Sequence, residues 1–194
     1  MPGGAGARIC LITGRPGVGK TSAIRKAAAS PSGLRLRGFY TEEIRVAGER
    51  RGFRLVTLDG QERVMAHMAF RGPHRVGKYG VDVALVDEVA DSVLAASPPA
   101  DLYLVDEIGK MECLSSRFVG AMRALLDSTR PVLATVAQRG GGFIAEVKQR
   151  EDVLLWEVTL GNRDEMPDRL LAWLRSTRTV TIACEAPRSG PSTS

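Results

Sequence analysis

"ICLITGRPGVGKTSAIRKAAA", residues 9–29, is an apolar run that breaks into glycines and then resumes with the spacing of a helix. Residues 8–13 read as a buried strand, and 20–29 as a helix rich in Ala, Lys and Arg. Between them, Gly14-Arg15-Pro16-Gly17-Val18-Gly19-Lys20-Thr21 fits G-x-x-x-x-G-K-[ST] at every defined position. Glycines let backbone N–H groups turn inward onto phosphate oxygens, and the helix that follows adds its positive end to the same anion. In such a loop Lys20 reaches the β- and γ-phosphates, and the Thr21 hydroxyl serves Mg²⁺.

A second stretch, "LYLVDEIGKME", supplies the acidic half. A buried strand over 102–106 that ends in Asp106 suits the far side of a magnesium shell. Glu107, immediately beyond, is placed to accept a proton from a water attacking the γ-phosphate. Taken alone, an acidic pair at a strand end is explained by capping of the next turn; paired with the Gly14–Thr21 loop, the catalytic reading is favoured. Lys110 could neutralise phosphate or pair with Glu107 or Glu112. The strand "PVLATV", 131–136, is the candidate to lie between strands 8–13 and 102–106. Thr135 would then be a polar sensor of the γ-phosphate, or simply a β-branched strand residue.

Outward from these motifs the chain alternates. Strand-like runs flank "AGERRG", and a third follows "LDGQE", which predicts an antiparallel meander inserted after the first helix. The Gly/Arg-rich loop "FRGPHRVGKYGV" leads to a helix near 84–96. Helices near 115–128, 143–149 and 164–175 alternate with strands 131–136 and 153–159, which implies a mostly parallel sheet covered on both faces. Residues 8–176 read as a single domain, 178–184 as a candidate edge strand, and 1–7 and 185–194 as flexible tails.

Composition excludes several classes. Of 194 residues, 44% are hydrophobic and 25% charged, and no apolar run is long enough for a membrane span. The opening residues make a poor secretory signal. Three widely spaced cysteines (Cys10, Cys113, Cys184) offer no metal-ligand spacing, so a cytoplasmic, reducing setting is expected. The net charge of +5 is concentrated in residues 35–78, where ten basic side chains face five acidic ones. Such a field could hold a triphosphate or nucleic acid, or be a solvated arginine-rich surface.

Taken together, "ITGRPGVGKTS", "GFYTEEIR", "RRGFRLVTLDG", "RVGKYGVD", "LVDEIGKME", "VLATV", "EVKQREDV" and "VTLGNRDE" resemble the nucleoside-triphosphatase family that includes the human cancer-related nucleoside-triphosphatase. The resemblance implies a three-layer α/β P-loop NTPase fold: a RecA-like, mostly parallel sheet with helices on both faces. It also implies Mg²⁺-dependent hydrolysis of ATP, GTP, CTP and UTP to diphosphate and phosphate. From the family, the segment Leu102, Tyr103, Leu104, Val105, Asp106, Glu107, Ile108 and Gly109 is carried over as lying along the nucleotide. Asn162 and Arg163 fall where such folds meet the base, although a helix start explains Asn162 as simply. Arg45, Arg75, Lys78 and Arg150 are the candidates to stabilise charge on the leaving diphosphate, or else surface ion-pair partners. No role is carried over for the glycine-rich loop 137–143.

Two other functions remain open on the sequence. One is a small-molecule or nucleotide kinase with "RGPHRVGKYG" as an arginine-bearing lid. The other is a nucleic-acid-linked switch using residues 35–78, although no RNP, KH or helix-turn-helix pattern accompanies it.

Overall fold

The computed structural model describes residues 7–29, 33–95 and 98–185, with side chains through residue 177. The apolar run before the glycines forms β1 (Ile9–Thr13), and α1 (Lys20–Ala28) follows the turn. The meander is β2 (Leu36–Val46), β3 (Glu49–Thr57) and β4 (Glu62–His67). A small hairpin, β5 (Arg75–Val76) and β6 (Tyr79–Val81), interrupts the stretch expected to be loop. Strands of two and three residues are too short to show alternation in sequence.

Next come α2 (Val83–Val89), capped by the Asp82 carboxylate on Leu85 N, and a π-helical turn, Ala90–Leu94. They fill the span expected as one helix. The rest is β7 (Leu102–Ile108), α3 (Ser116–Asp127), β8 (Val132–Val136), α4 (Phe143–Gln149), β9 (Val153–Glu157) and α5 (Met166–Glu185).

Among the described residues nine strands make one sheet in the order β5-β6-β4-β3-β2-β7-β8-β1-β9. The β2-β7-β8-β1-β9 half is parallel and the remainder antiparallel. As expected, β8 lies between β1 and β7, with Leu11 opposite Ala134 and Val105 opposite Ala134 on the other side. The meander continues the central sheet through β2, which pairs with β7 from Leu36 to Phe39.

Alternation along the parallel strands builds two cores, and a small third cluster, Ala66, Tyr79 and Val81, forms in the antiparallel part. Cys10, Ile12, Leu102, Leu104 and Leu133 face Ile24 of α1 and Leu170, Trp173 and Leu174 of α5. Ile9, Leu11, Tyr103, Val105, Val132 and Ala134 face α2, α3 and α4 through residues such as Val86, Phe118, Met122 and Ile144. The sheet is thus covered on both faces, as the sequence predicts.

The candidate edge strand at 178–184 is instead the continuation of α5. The first turns of α5 are anchored by Met166, Leu170 and Trp173, so each further residue adds to an existing nucleus. Of the two tails, residues 1–6 and 186–194 lie outside the described residues. Ala7 is held, its carbonyl accepting from the Trp173 indole at 2.7 Å.

Gly38 shows how closely β2 and β7 approach. At φ +135° its missing Cβ would lie 1.7 Å from the Leu104 carbonyl oxygen, a backbone atom that cannot step aside. Gly38→Ala is expected to destabilise the fold by roughly 3 kcal/mol or more. Thermal denaturation checks this, and a parental Tm would refute the close approach.

Candidate functional site

The phosphate-loop sequence lies at the carboxyl end of β1. Gly14 packs flush against the turn after β9: a Cβ at its φ of +150° would lie 2.4 Å from the Val158 carbonyl. Val158 N also donates to Thr13 O at 2.7 Å, so the loop after β9 braces the glycine turn. Arg15, Pro16 and Gly17 are exposed at the mouth, while Val18 is buried and anchors the turn in the α1/α5 core.

Lys20 is almost fully buried. Its ammonium donates to Gly14 O at 3.1 Å and Arg15 O at 3.5 Å, and stands 3.9 Å from Glu107 Oε2. The glycine loop and the acidic strand end therefore meet.

A register shift delivers the two acids. Val105 pairs with Ala134 and Ile108 with Val136, so Asp106 and Glu107 together oppose Thr135 alone. Such a bulge re-aims side chains at a strand end. Asp106 is buried and Glu107 part-exposed. Thr135 Oγ1 donates to Asp106 Oδ1 at 2.5 Å, which makes Thr135 a partner of the acid. Asp106 Oδ2 is buried without a hydrogen-bond partner. Burial pushes the Asp106 carboxyl up from its ordinary value, opposed by the Thr135 and Thr21 hydroxyls, Lys20 and the Thr41 amide. Glu107 is also raised, first by burial; Lys20 pulls it down, Asp106 pushes it up, and Lys148 pulls it down.

An orphaned buried carboxylate oxygen facing a threonine hydroxyl suits a hard cation that keeps most of its waters and takes its other ligands from phosphate. Thr21 and Asp106 therefore fit Mg²⁺. Among the described residues no cluster of three or more His, Cys, Asp or Glu forms a metal cage, which such a site does not need.

Of the segment carried over as lying along the nucleotide, Leu102, Tyr103, Leu104, Val105 and Ile108 are buried strand residues packed in the two cores. Only Asp106, Glu107 and Gly109 bring it to the mouth.

Arg163 is brought to the phosphate loop. With Gly17, Val18, Gly19, Ser22, Lys26, Asp164 and Pro167 it lines a cleft of about 370 Å³. Asn162 closes its own loop, accepting from Thr159 N at 2.8 Å and donating to Glu157 O at 2.9 Å.

The four candidates for a charge-stabilising cation go elsewhere. Arg45 is held by Glu43 and Gly48 O at the β2–β3 turn. Arg75 donates to Phe70 O and Lys78 O, and Lys78 pairs with Glu49, both at the hairpin separated from β7 by β4, β3 and β2. Arg150 binds Asp127 and Asp152 just before β9 begins, at the end of the parallel strands opposite Gly14.

One unforeseen cation, Lys148 of α4, acts on Glu107 instead. Lys148 donates to Gln138 O at 2.9 Å, and Gln138 Nε2 donates to Glu157 Oε1 at 3.2 Å. The glycine-rich loop after β8 is thereby tied to both neighbours. Lys110 is exposed and has no ion pair among the described residues. Burial pushes the thiols of Cys10 and Cys113 up, the latter to about 12, as suits small core residues.

A parallel sheet with this strand order, a glycine loop between β1 and α1, and an Asp-Glu pair on the strand beyond β8 define the P-loop NTPase class. The NTPase family model matches residues 9–171, and the chain belongs to that family. It is 42% identical over 169 residues to the nucleoside-triphosphatase THEP1 of Thermotoga petrophila, covering 87% of this chain and 93% of that one. It is 35% identical over 188 residues to the human cancer-related nucleoside-triphosphatase, covering 89% and 99%. The crystal structure of THEP1 from Aquifex aeolicus superposes with a TM-score of 0.78 at 34% identity, covering 85% and 98% of the two chains.

Proposed function

We propose that this chain is a Mg²⁺-dependent nucleoside-triphosphatase that converts ATP, GTP, CTP and UTP to the diphosphate and phosphate. The observation that carries this reading is the meeting of Lys20 with Glu107 across the mouth, 3.9 Å apart, with Asp106 buried beside them. Gly14, Arg15, Pro16, Gly17, Val18, Gly19, Lys20 and Thr21 hold the β- and γ-phosphates, the backbone amides and the Lys20 ammonium opposing their charge. Thr21 and Asp106 hold the cation, which supplies charge neutralisation at the β- and γ-oxygens when bound. Glu107 accepts the proton of the attacking water; its raised basicity and its part-exposed position suit that task. Thr135 keeps Asp106 oriented. Arg163 and the cleft beside Lys26 receive the sugar and base. Ser22, Lys26, Arg163 and Asp164 line that cleft, and no aromatic side chain is among its lining residues to stack on a base.

Three observations weigh against the alternatives. β8 between β1 and β7 and the presence of Glu107 argue against a kinase. Arg45, Arg50, Arg51, Arg54 and Lys78 each lie within ion-pair distance of Glu42, Glu43, Glu49 or Glu62, which blunts the basic surface a nucleic acid would need. Among the described residues no helix is long and apolar enough to cross a membrane, and a cytoplasmic setting fits two buried or part-buried free thiols.

The test is phosphate release from ATP, GTP, CTP and UTP, with and without Mg²⁺ and RNA. Release from all four with Mg²⁺ alone is expected. Turnover that begins only when an acceptor or RNA is added would overturn the reading.

A further inference from the structure

Among the described residues two carboxylic side chains are buried, Asp106 and Glu112, and the proposed hydrolysis uses only the first. Glu112 is 5% exposed and stands on the 3-10 turn Glu112–Leu114 that follows β7. The turn is firmly held. Cys113 N donates to Gly109 O at 3.0 Å, and Ser115 N to Glu112 O at 3.1 Å. The Ser115 hydroxyl caps α3 by accepting from Phe118 N at 2.9 Å and donates to Asp87 of α2 at 2.5 Å. Backbone and two helices therefore fix where the Glu112 side chain begins.

Its carboxyl lies over Gly109. A Cβ at Gly109 would be 2.8 Å from Glu112 Oε2 and 3.6 Å from Glu107 Oε1. Both carboxyls face one small gap that a glycine leaves open. Burial pushes the Glu112 acid up to about 8, with the charges of Glu107 and Asp106 adding to it and the amides of Glu112 and Gly109 opposing. Glu112 is thus largely neutral near pH 7, which limits its repulsion of Glu107. Lys20 of α1 and Lys148 of α4 act on Glu107 as well. Asp87 of α2 is engaged by Ser115.

We propose that Glu112 is a positioning residue for hydrolysis: its carboxyl, filling the gap over Gly109, fixes the side chain of Glu107 and so its aim at the attacking water. This rests on Glu107 being the base.

The experiment compares Glu112→Gln, Glu112→Met and Gly109→Ala by kcat, KM for Mg-ATP and Tm, each alone and the Met variant also with Glu107→Gln. Glutamine reproduces a neutral polar carboxyl, and kcat should stay within about threefold of the parent. Methionine keeps the length and loses the polar atoms. Its kcat should fall about 10–100-fold, the usual effect of a misplaced catalytic group, with KM and Tm near parental values. Gly109→Ala displaces the Glu112 carboxyl and should lose kcat similarly; it decides the matter if the Met variant does not fold. In the Glu107→Gln background Glu112→Met should cost nothing further. A parental kcat in Glu112→Met, a glutamine variant as slow as the methionine one, or losses that multiply with Glu107→Gln would each overturn the proposal. A parental rate in Glu107→Gln alone would show instead that the reading of Glu107 is wrong, and the proposal falls with it.

Discussion

Glu107→Gln is expected to bind Mg-ATP about as tightly as the parent while turning it over roughly 10²–10⁴-fold more slowly, the usual worth of a positioned general base. The amide keeps the shape of the side chain and its place beside Lys20, and removes only the proton acceptor. Asp106→Asn differs because that carboxylate is buried, with one oxygen bound by Thr135 and the other unpartnered. Losing its charge weakens the cation site, so affinity and rate should both fall. Single-turnover phosphate release alongside calorimetric titration separates the two. Should Glu107→Gln turn over at the parental rate while Asp106→Asn is dead, Glu107 is a structural acid and the water is oriented by another group.

Lys20→Ala should abolish turnover and weaken Mg-ATP binding on the order of 10²–10³-fold. Truncating one partner of a buried charge pair costs roughly 2–5 kcal/mol, largely because the remaining charge is left unpaired. The ammonium donates to Gly14 O and Arg15 O, so the backbone holds it inside the glycine turn, where the phosphates would lie. Unchanged affinity in a calorimetric titration would remove the phosphate-loop assignment altogether.

The parts of the site legible in sequence are those where residue type reports on backbone geometry. Glycines at 14, 17 and 19 read as a turn onto an anion because little else tolerates that path, and an apolar run ending in Asp106 reads as a buried strand presenting an acid. The position of β8 followed from the same two motifs.

What was not legible depends on neighbours distant in sequence. Arg54 reads as free charge until β2 and β4 pair on either side of β3 and set it between Glu42 and Glu62. Glu112 reads only as a candidate partner for Lys110 in "GKME", because nothing local shows that the turn sets its carboxyl over Gly109. Lys148, Gln138 and Glu157 come from three separate elements. Arg150 is different: it precedes a parallel strand, and parallel strands carry their sites at the far end, so topology alone could have excluded it. The β-branched run near 179–182 misled because local propensity yields to a helix already anchored by packing.

The central place of β1 between β8 and β9 also sets the order in which the molecule is assembled. Ile9 pairs with Val132 and Val153, so the strand that leads into the phosphate loop is made well over a hundred residues before either partner. The meander, by contrast, pairs strands that follow one another directly, and local contacts of that kind close soonest. During synthesis, which proceeds from the N-terminus, the wing of the sheet can therefore form while β1, glycine turn included, is still unpaired. Triphosphate binding arrives with the last strands, and a nascent chain carries its most recognisable motif long before it can use it.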